Sequence, residues 1–227
     1  MKEPPPAKNF IFPLALFFLA FFSAVLCSCS EDPVDLAFVQ YNLILDWNEA
    51  DKAPEARLSV FAEMNSNVRR LESISVQKDG YFWTIDSPLA LQGNGKQWAG
   101  SSHLEPPPKE EGAGGAFPQG QYFVECVDAA GKKADGSFNL SYNADLLAAS
   151  ADRALNLFPS VQKRVAVYSD ANELLYFDTR KDNWIDDDSV FKGVKNSSFF
   201  RESFLIGNIL CLMPKIYKNG EKSDGLD

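Results

Sequence analysis

Few side chains of this sequence are of types that do chemistry, and the single histidine is the first to consider. His103 follows Ser101 and Ser102, beside a segment rich in proline and glycine. A Ser-His-acid hydrolase holds its base rigidly between a nucleophile and an orienting acid, and no Gly-x-Ser-x-Gly nucleophile elbow occurs in the sequence. One histidine without a close cysteine pair beyond residue 29 also lacks the ligands of the usual zinc clusters. We therefore expect His103 to be a solvated loop residue, and we assign no catalytic, cofactor-binding or metal-binding residue.

Five aspartates form the one concentrated carboxylate group of the sequence: Asp178, Asp182, Asp186, Asp187 and Asp188. Calcium sites use several oxygen ligands at short distance, but the spacing here departs from that of the EF-hand loop. Most clusters of this kind are solvated surfaces. The alternative is a carboxylate-dependent hydrolase that uses acids such as Asp178 and Asp186. It predicts two acids that face each other in a cleft, one of them with a raised pKa.

The most specific signal for a covalent reaction lies at the N-terminus, where an apolar run over residues 10–26 ends in Leu26-Cys27-Ser28-Cys29. Two lysines before the run give the weakly basic start of an export signal. The four residues resemble the bacterial lipobox, in which a Leu three places before a Cys and a small residue just before it permit lipid transfer to the thiol. The resemblance implies a cleaved signal helix over residues 1–28 and lipidation of Cys29. An uncleaved membrane span, which needs about 20 apolar residues, is the alternative.

Charge limits the partners that the chain can have. The whole sequence carries −9 at pH 7, and the leader contributes +1 through two lysines and one glutamate, so the mature chain of residues 29–227 carries −10. This acidic balance repels phosphates and anionic headgroups, so nucleic acid is not an expected partner. The lipid on Cys29 is then the expected membrane contact, with residues 29–35 as a polar tether. Two or three acyl chains anchor durably, whereas one binds marginally.

Residues 36–85 have the pattern of antiparallel strands. Residues 36–47 and 57–64 are rich in apolar and β-branched side chains. In residues 71–76 the side chains at odd and even positions are expected on opposite faces of a third strand. Lys78-Asp79-Gly80 predicts a hairpin turn into a further strand. Four short strands at about ten-residue spacing favour a sandwich or barrel. From residue 89 to 119 the pattern is lost among glycines and three consecutive prolines, and we expect this stretch to be disordered.

A second resemblance concerns the strand that follows. The matching residues are Pro118, Gly120, Tyr122, Val124, Cys126, Asp128 and Gly131. They resemble the late-strand signature of bacterial immunoglobulin-like and hook-cap-type β-sandwiches, which has the pattern Pro-x-Gly-x-Tyr, alternating apolar residues, an Asp and a turn Gly. A returning strand is expected over residues 136–142. The resemblance implies a mainly β fold over residues 36–142, an immunoglobulin-like antiparallel β-sandwich, and it implies no activity.

Residues 143–227 are expected to be a C-terminal β-rich extension or a small second lobe. Helix formers over residues 143–157 indicate a short helix or connector. Residues 163–168 and 173–177 flank turn residues and predict a hairpin, whereas residues 179–198 look like a charged loop. The apolar stretch 199–216 fits a helix or a strand, and Gly207 and Pro214 slightly favour the strand. The tail over residues 219–227 is expected to be frayed.

Tryptophans and cysteines add two further expectations. Trp47 and Trp83 lie in apolar strand patterns and are expected in the core. Trp98 and Trp184 fall in predicted loops, where exposed rings could stack on sugars and make a glycan-binding module. Cys126 and Cys211 are expected to be unpaired, buried small hydrophobes, although an oxidising envelope would allow a disulfide.

Together these observations favour a lipid-anchored protein of the bacterial cell envelope with a non-catalytic binding or structural role. Leader and strand signature resemble the lipoproteins of spirochaete-type bacteria. Expected partners are the membrane, through the covalent lipid on Cys29, and an envelope protein or a glycan. The alternatives are a surface adhesin or glycan-binding module, which needs exposed Trp98 and Trp184, and the carboxylate-dependent envelope hydrolase.

Overall fold

The computed structural model describes residues 34–108 and 115–218. Its strands in chain order are β1 (Leu36–Asp46), β2 (Glu55–Met64), β3 (Leu71–Lys78), β4 (Tyr81–Ile85), β5 (Leu89–Gly93), β6 (Lys96–Leu104), β7 (Gly120–Asp128), β8 (Lys133–Leu140), β9 (Lys163–Tyr168), β10 (Leu174–Asp178), β11 (Phe199–Ile206) and β12 (Ile209–Tyr217). Its helices are α1 (Ala151–Leu157) and α2 (Asp187–Gly193), with 3₁₀ helices at Val68–Arg70 and Ala144–Ala148. The expected leader over residues 1–28, the lipidation site Cys29, most of the tether and the tail over residues 219–227 lie outside the described residues.

The strands form two sheets that pack face to face. One has eight strands in the order β10-β9-β11-β12-β1-β2-β6-β5, and the other has four in the order β4-β3-β7-β8. Their pairings are antiparallel except that of β1 with β12, which is parallel. The core between the sheets includes side chains of both, and the ring of Tyr41 on β1 stacks on that of Phe138 on β8 at 4.4 Å. The prediction of a mainly β sandwich with a short helix is confirmed.

The strand with the sandwich signature occupies the centre of the small sheet. Tyr122, Val124 and Cys126 of β7 alternate inward and are buried, as period-two alternation predicts. Asp128 ends the strand: its carboxylate accepts the N–H groups of Ala130 and Lys132 at 2.9 Å and lies 3.1 Å from the Arg70 guanidinium. The hydrogen bond from Lys132 is the main cause that lowers the pKa of Asp128. This carboxylate therefore stabilises the fold at neutral pH, and its contribution is lost as the pH falls through the lowered pKa.

The C-terminal residues extend the sheet that β1 begins. The ambiguous stretch 199–216 is a hairpin, because Gly207 adopts a φ of +57° and reverses the chain between β11 and β12. β12 then pairs with β1 in parallel, from Leu43 opposite Ile209 to Asp46 opposite Leu212. The predicted hairpin of β9 and β10 is also present and adds to the same sheet through β11.

The expectation that residues 89–119 are disordered is wrong over much of its length. Residues 89–104 form β5 and β6, joined at Asn94 and Gly95, both with positive φ. Glycine here serves close packing as well as a turn: a Cβ on Gly100 would lie 2.0 Å from the Val60 carbonyl oxygen of β2. Residues that indicated disorder are thus those that allow a tight turn and a close approach of two strands.

The expectation of a loop over residues 179–198 is also partly wrong, because the segment contains α2. The Asp186 side chain accepts the backbone N–H of Ser189 at 2.8 Å, and the Ser189 hydroxyl oxygen accepts the backbone N–H of Asp186 at 3.2 Å. These two hydrogen bonds make a capping box. Val190 and Phe191 of the helix are buried with Trp184 against β9 and β11. The sequence pattern did not predict this short amphipathic helix, because two buried positions in seven residues are too few to establish a helical period.

The two described cysteines are unpaired and buried, as expected. Burial raises the pKa of the Cys126 and Cys211 thiols to about 12, so they lack the thiolate that reacts with disulfides or binds metals. Within residues 34–108 and 115–218, no helix has the length and hydrophobicity needed to cross a bilayer.

Candidate functional site

A pocket of about 940 Å³ lies at the C-terminal end of β1, where β2 begins and β6 ends. Its described lining comes from Asp46 of β1, the connection between β1 and β2, the start of β2, the residues from His103 to Pro108, Gly115, and the 3₁₀ helix Ala144–Ala148. Most of the wall is alanine and proline, contributed by Ala53, Pro54, Ala56, Pro106, Pro107, Pro108, Ala144 and Ala148, and Leu147 adds a further apolar side chain. Such a volume is in the range of small-molecule sites, which are mostly apolar with a few polar groups.

The proline wall is fixed in place by two contacts. The indole nitrogen of Trp83 donates to the Glu105 carbonyl at 2.7 Å. Gly115 packs so closely on this segment that a Cβ there would lie 2.5 Å from the Pro107 carbonyl oxygen. Because proline has no N–H and a restricted φ, this wall offers carbons and carbonyl oxygens in a stiff arrangement.

One side of the pocket contains a buried ion pair. Arg201 of β11 is buried, and its guanidinium is bonded to both carboxylate oxygens of Asp46, the last residue of β1. The same guanidinium donates to the Met213 carbonyl at 2.7 Å and, over longer distances, to the carbonyls of Trp47 and Leu212. Asp46 lines the pocket, but its charge is compensated by Arg201.

Arg57 of β2 is the second arginine at this end and it is poorly paired. Its Nη2 lies 3.9 Å from Asp46 Oδ2, which is too long for a hydrogen bond. Its Nε is buried and has no hydrogen-bond partner among the described residues. The side chain is 34% exposed and lines the pocket. Since buried polar atoms normally have a partner, this guanidinium has capacity for an acceptor that the described chain does not supply.

The histidine lies on the rim of the same pocket. His103 is in strand β6 and not in a loop, so that part of the expectation is wrong, but its side chain is 61% exposed. Its Nε2 is 3.9 Å from the Glu105 carboxylate, which is itself exposed. The Ser101 hydroxyl accepts the backbone N–H of His103, and no hydroxyl or thiol bonds to the imidazole in the described ranges. The arrangement therefore lacks the nucleophile–base contact of a triad.

The five aspartates do not converge. All are exposed, Asp186 caps α2, and Asp187 pairs with Arg180 at 3.2 Å. Hydrogen bonds from Ser189 lower the pKa of Asp186, whereas the hydrolase alternative needs a raised one. The described residues also contain no group of three or more His, Cys, Asp or Glu side chains that could hold a metal ion. The observations on which that alternative depended are absent from this part of the chain.

The burial of the four tryptophans differs in part from what their predicted core or loop positions indicated. Trp47 is fully buried, as expected, and Trp83 is half-buried against the core. Trp184, which was predicted to lie in a loop, is buried under α2, and Trp98, also predicted in a loop, lies half-buried in β6. A pair of exposed loop tryptophans for sugar stacking therefore does not exist, because one ring packs under a helix that the sequence pattern did not indicate.

Comparison with known proteins gives no match for this chain, whether among family models, curated proteins or solved structures. The pocket residues Asp46 and Arg57, and Arg201, which is bonded to Asp46, were missed by the sequence interpretation. A signal was present, since Asp46 and Arg201 are charged residues inside apolar strand runs. Such residues are seldom buried unless they are paired.

Proposed function

We propose that the chain is a lipid-anchored protein of the bacterial cell envelope with a non-catalytic binding role, and that the pocket at the end of β1 is its ligand site. The anchor is supported by Leu26-Cys27-Ser28-Cys29 after the apolar leader. The ligand site is supported by one observation above the others: the Nε of Arg57, beside the pocket, is buried and has no hydrogen-bond partner among the described residues.

The ligand class follows from the charges of the wall. Asp46 is neutralised by Arg201, and the two other acids of the lining, Glu55 and Glu105, are exposed to solvent. Arg57 is the one lysine or arginine of the described pocket lining, and the nearest carboxylate, Asp46, is too far from it for a hydrogen bond. Guanidinium groups bind carboxylates through two parallel hydrogen bonds. Proline and alanine carbons make up most of the remaining surface. The expected ligand is a small molecule or chain end with an apolar body and a carboxylate.

Binding of dansyl-L-phenylalanine tests the pocket, with its uncharged amide as the matched probe. In residues 29–227 with Cys29→Ser, the acid should bind more tightly than the amide. Arg57→Gln should weaken binding of the acid by about 10- to 100-fold, because a hydrogen bond to a charged group contributes about 1.5–3 kcal/mol. Dansyl fluorescence titration measures both constants. Arg69→Gln, which removes an exposed charge at the other end of β2, is the control and should bind as the parent does. Equal binding of acid and amide would contradict the assignment of Arg57.

Metabolic labelling with palmitate tests the anchor. The full chain should incorporate the label, and Cys29→Ala should abolish it because the thiol is the acceptor of the lipid. Cys27→Ala is the matched control and should retain labelling, since Cys27 is not the acceptor in the lipobox pattern. Equal incorporation into the Cys29→Ala variant and the parent chain would refute the anchor.

A further inference from the structure

The large sheet has an apolar patch on its outer face, away from the core. Residues that are opposite each other on adjacent antiparallel strands point to the same face. One such row runs across β1, β2, β6 and β5 as Phe38, Glu63, Trp98 and Leu91, and the next as Gln40, Phe61, Gly100 and Leu89. The residues between them on the first three strands, Val39, Ala62 and Ala99, are buried in the core. The two rows therefore face outward. We call Phe38, Phe61, Leu89, Leu91 and Trp98 the outer patch.

The outer patch is exposed and almost uncharged. Phe38 is 58% exposed, Leu89 55% and Leu91 45%, while the rings of Phe61 and Trp98 are half-buried between them. Glu63, the acid within the rows, is bonded to Lys96 at 3.0 Å, and this lysine also lies over the Trp98 ring. Contiguous exposed apolar side chains of this kind mark interaction surfaces.

The position of the patch along β1 indicates what covers it. Cys29 is five residues before Val34, so a fully extended chain separates them by at most about 18 Å. Phe38 is only two residues into β1, and its row lies at the strand end nearest to Cys29. If Cys29 carries acyl chains in a bilayer, the patch is held within a short distance of the headgroups. The pocket begins at Asp46, about 27 Å further along the strand.

We propose that the outer patch rests in the headgroup layer of the membrane to which Cys29 is anchored, with Phe38, Trp98 and Leu91 as the inserted side chains. This proposal rests on the lipid anchor proposed above. Trp is enriched at membrane–water interfaces, where its apolar ring and N–H are both accommodated. The acidic net charge of the chain favours a zwitterionic surface, and the Glu63–Lys96 pair keeps the patch itself neutral.

Quenching of tryptophan fluorescence by brominated phosphatidylcholine tests the contact. The acylated mature protein, purified from membranes, is placed in phosphatidylcholine vesicles with and without bromine on the acyl chains. Quenching is expected, and Trp98→Phe should remove most of it. Trp184→Phe is the matched control and should keep it, because Trp184 is buried under α2. The double variant Phe38→Ser with Leu91→Ser should lose most of the quenching of Trp98 while the protein still floats with the vesicles.

Flotation separates the two proposals. A protein that neither takes up palmitate nor floats refutes the anchor, whereas a protein that floats without quenching of Trp98 refutes the contact alone. A second copy is the competing occupant, since β5 is an edge strand with exposed side chains. A dimer of residues 29–227 with Cys29→Ser that dissociates on Phe38→Ser with Leu91→Ser would overturn the membrane contact in favour of self-association.

Discussion

Replacing Arg201 with alanine is expected to lower the free energy of unfolding by about 3–5 kcal/mol, the usual cost of removing one partner of a buried ion pair. Of its cationic partners among the described residues, the Asp46 carboxylate would keep Arg57 at 3.9 Å, and the Met213 carbonyl would lose the Arg201 donor. Asp46 is 16% exposed, so water partly replaces the lost guanidinium and the lower end of the range is favoured. Urea unfolding of residues 29–227 with Cys29→Ser measures the change.

Two variants make the Arg201 experiment specific. Lys133→Ala removes the cation of a surface pair with Glu125, whose two side chains are 58% and 38% exposed, and should cost less than about 1 kcal/mol. Arg201→Met combined with Asp46→Leu removes both charges and should recover much of the loss, because well-packed apolar replacements of buried pairs are often neutral. A loss for Arg201→Ala no larger than that for Lys133→Ala would show that the pair does not stabilise the sheet.

Trp47→Ala is the second change with a large expected effect, about 3–5 kcal/mol of destabilisation for a fully buried aromatic side chain. The ring is 0% exposed, and its N–H donates to the Ala149 carbonyl at 2.9 Å. This contact joins the end of β1 to the 3₁₀ helix that forms part of the pocket wall. The variant should therefore also weaken binding of dansyl-L-phenylalanine, and equilibrium unfolding with fluorescence titration measures both effects.

Trp47→Phe separates packing from hydrogen bonding. It keeps most of the ring but leaves the Ala149 carbonyl without its donor, at a cost of about 1–3 kcal/mol. Trp98→Ala is the surface control, and a half-buried side chain outside the core should cost less than either core change. Equal stability of Trp47→Ala and Trp98→Ala would contradict the central place of Trp47 in the core.

Local patterns predicted the strands whose residues supply their own evidence. Alternation placed Leu58, Val60, Ala62 and Met64 on the buried face of β2, and Lys78-Asp79-Gly80 gave the hairpin of β3 and β4, with Asp79 and Gly80 at positive φ. The sandwich signature correctly placed Tyr122, Val124 and Cys126 inside. The alternation of side chains and the residues that favour a turn lie within a few positions of one another. The local sequence is therefore enough to predict these strands and the hairpin.

The errors occurred where a partner distant in sequence decides the structure. Residues 89–104 were expected to be disordered, but Gly100 among them packs closely on β2. Trp184 was predicted to lie in a loop, but side chains of α2 and β9 pack against it. The pocket was missed for the same reason. Arg57 approaches Asp46 through the pairing of β1 with β2. Arg201 lies 144 positions further along the chain and meets Asp46 only because β11 pairs with β12 and β12 pairs with β1.

The sequence by itself determined the mainly β class, the acidic charge, the separation of buried from exposed positions in most strands, and the expectation of a lipid on Cys29. Tertiary structure alone decided that the C-terminal strands join the sheet of β1, which charged residues meet at the end of that strand, and which apolar side chains remain outside the core. Periodicity reports the environment of each side chain but not the identity of its neighbour. Strand pairing across more than a hundred residues depends on the whole chain being folded.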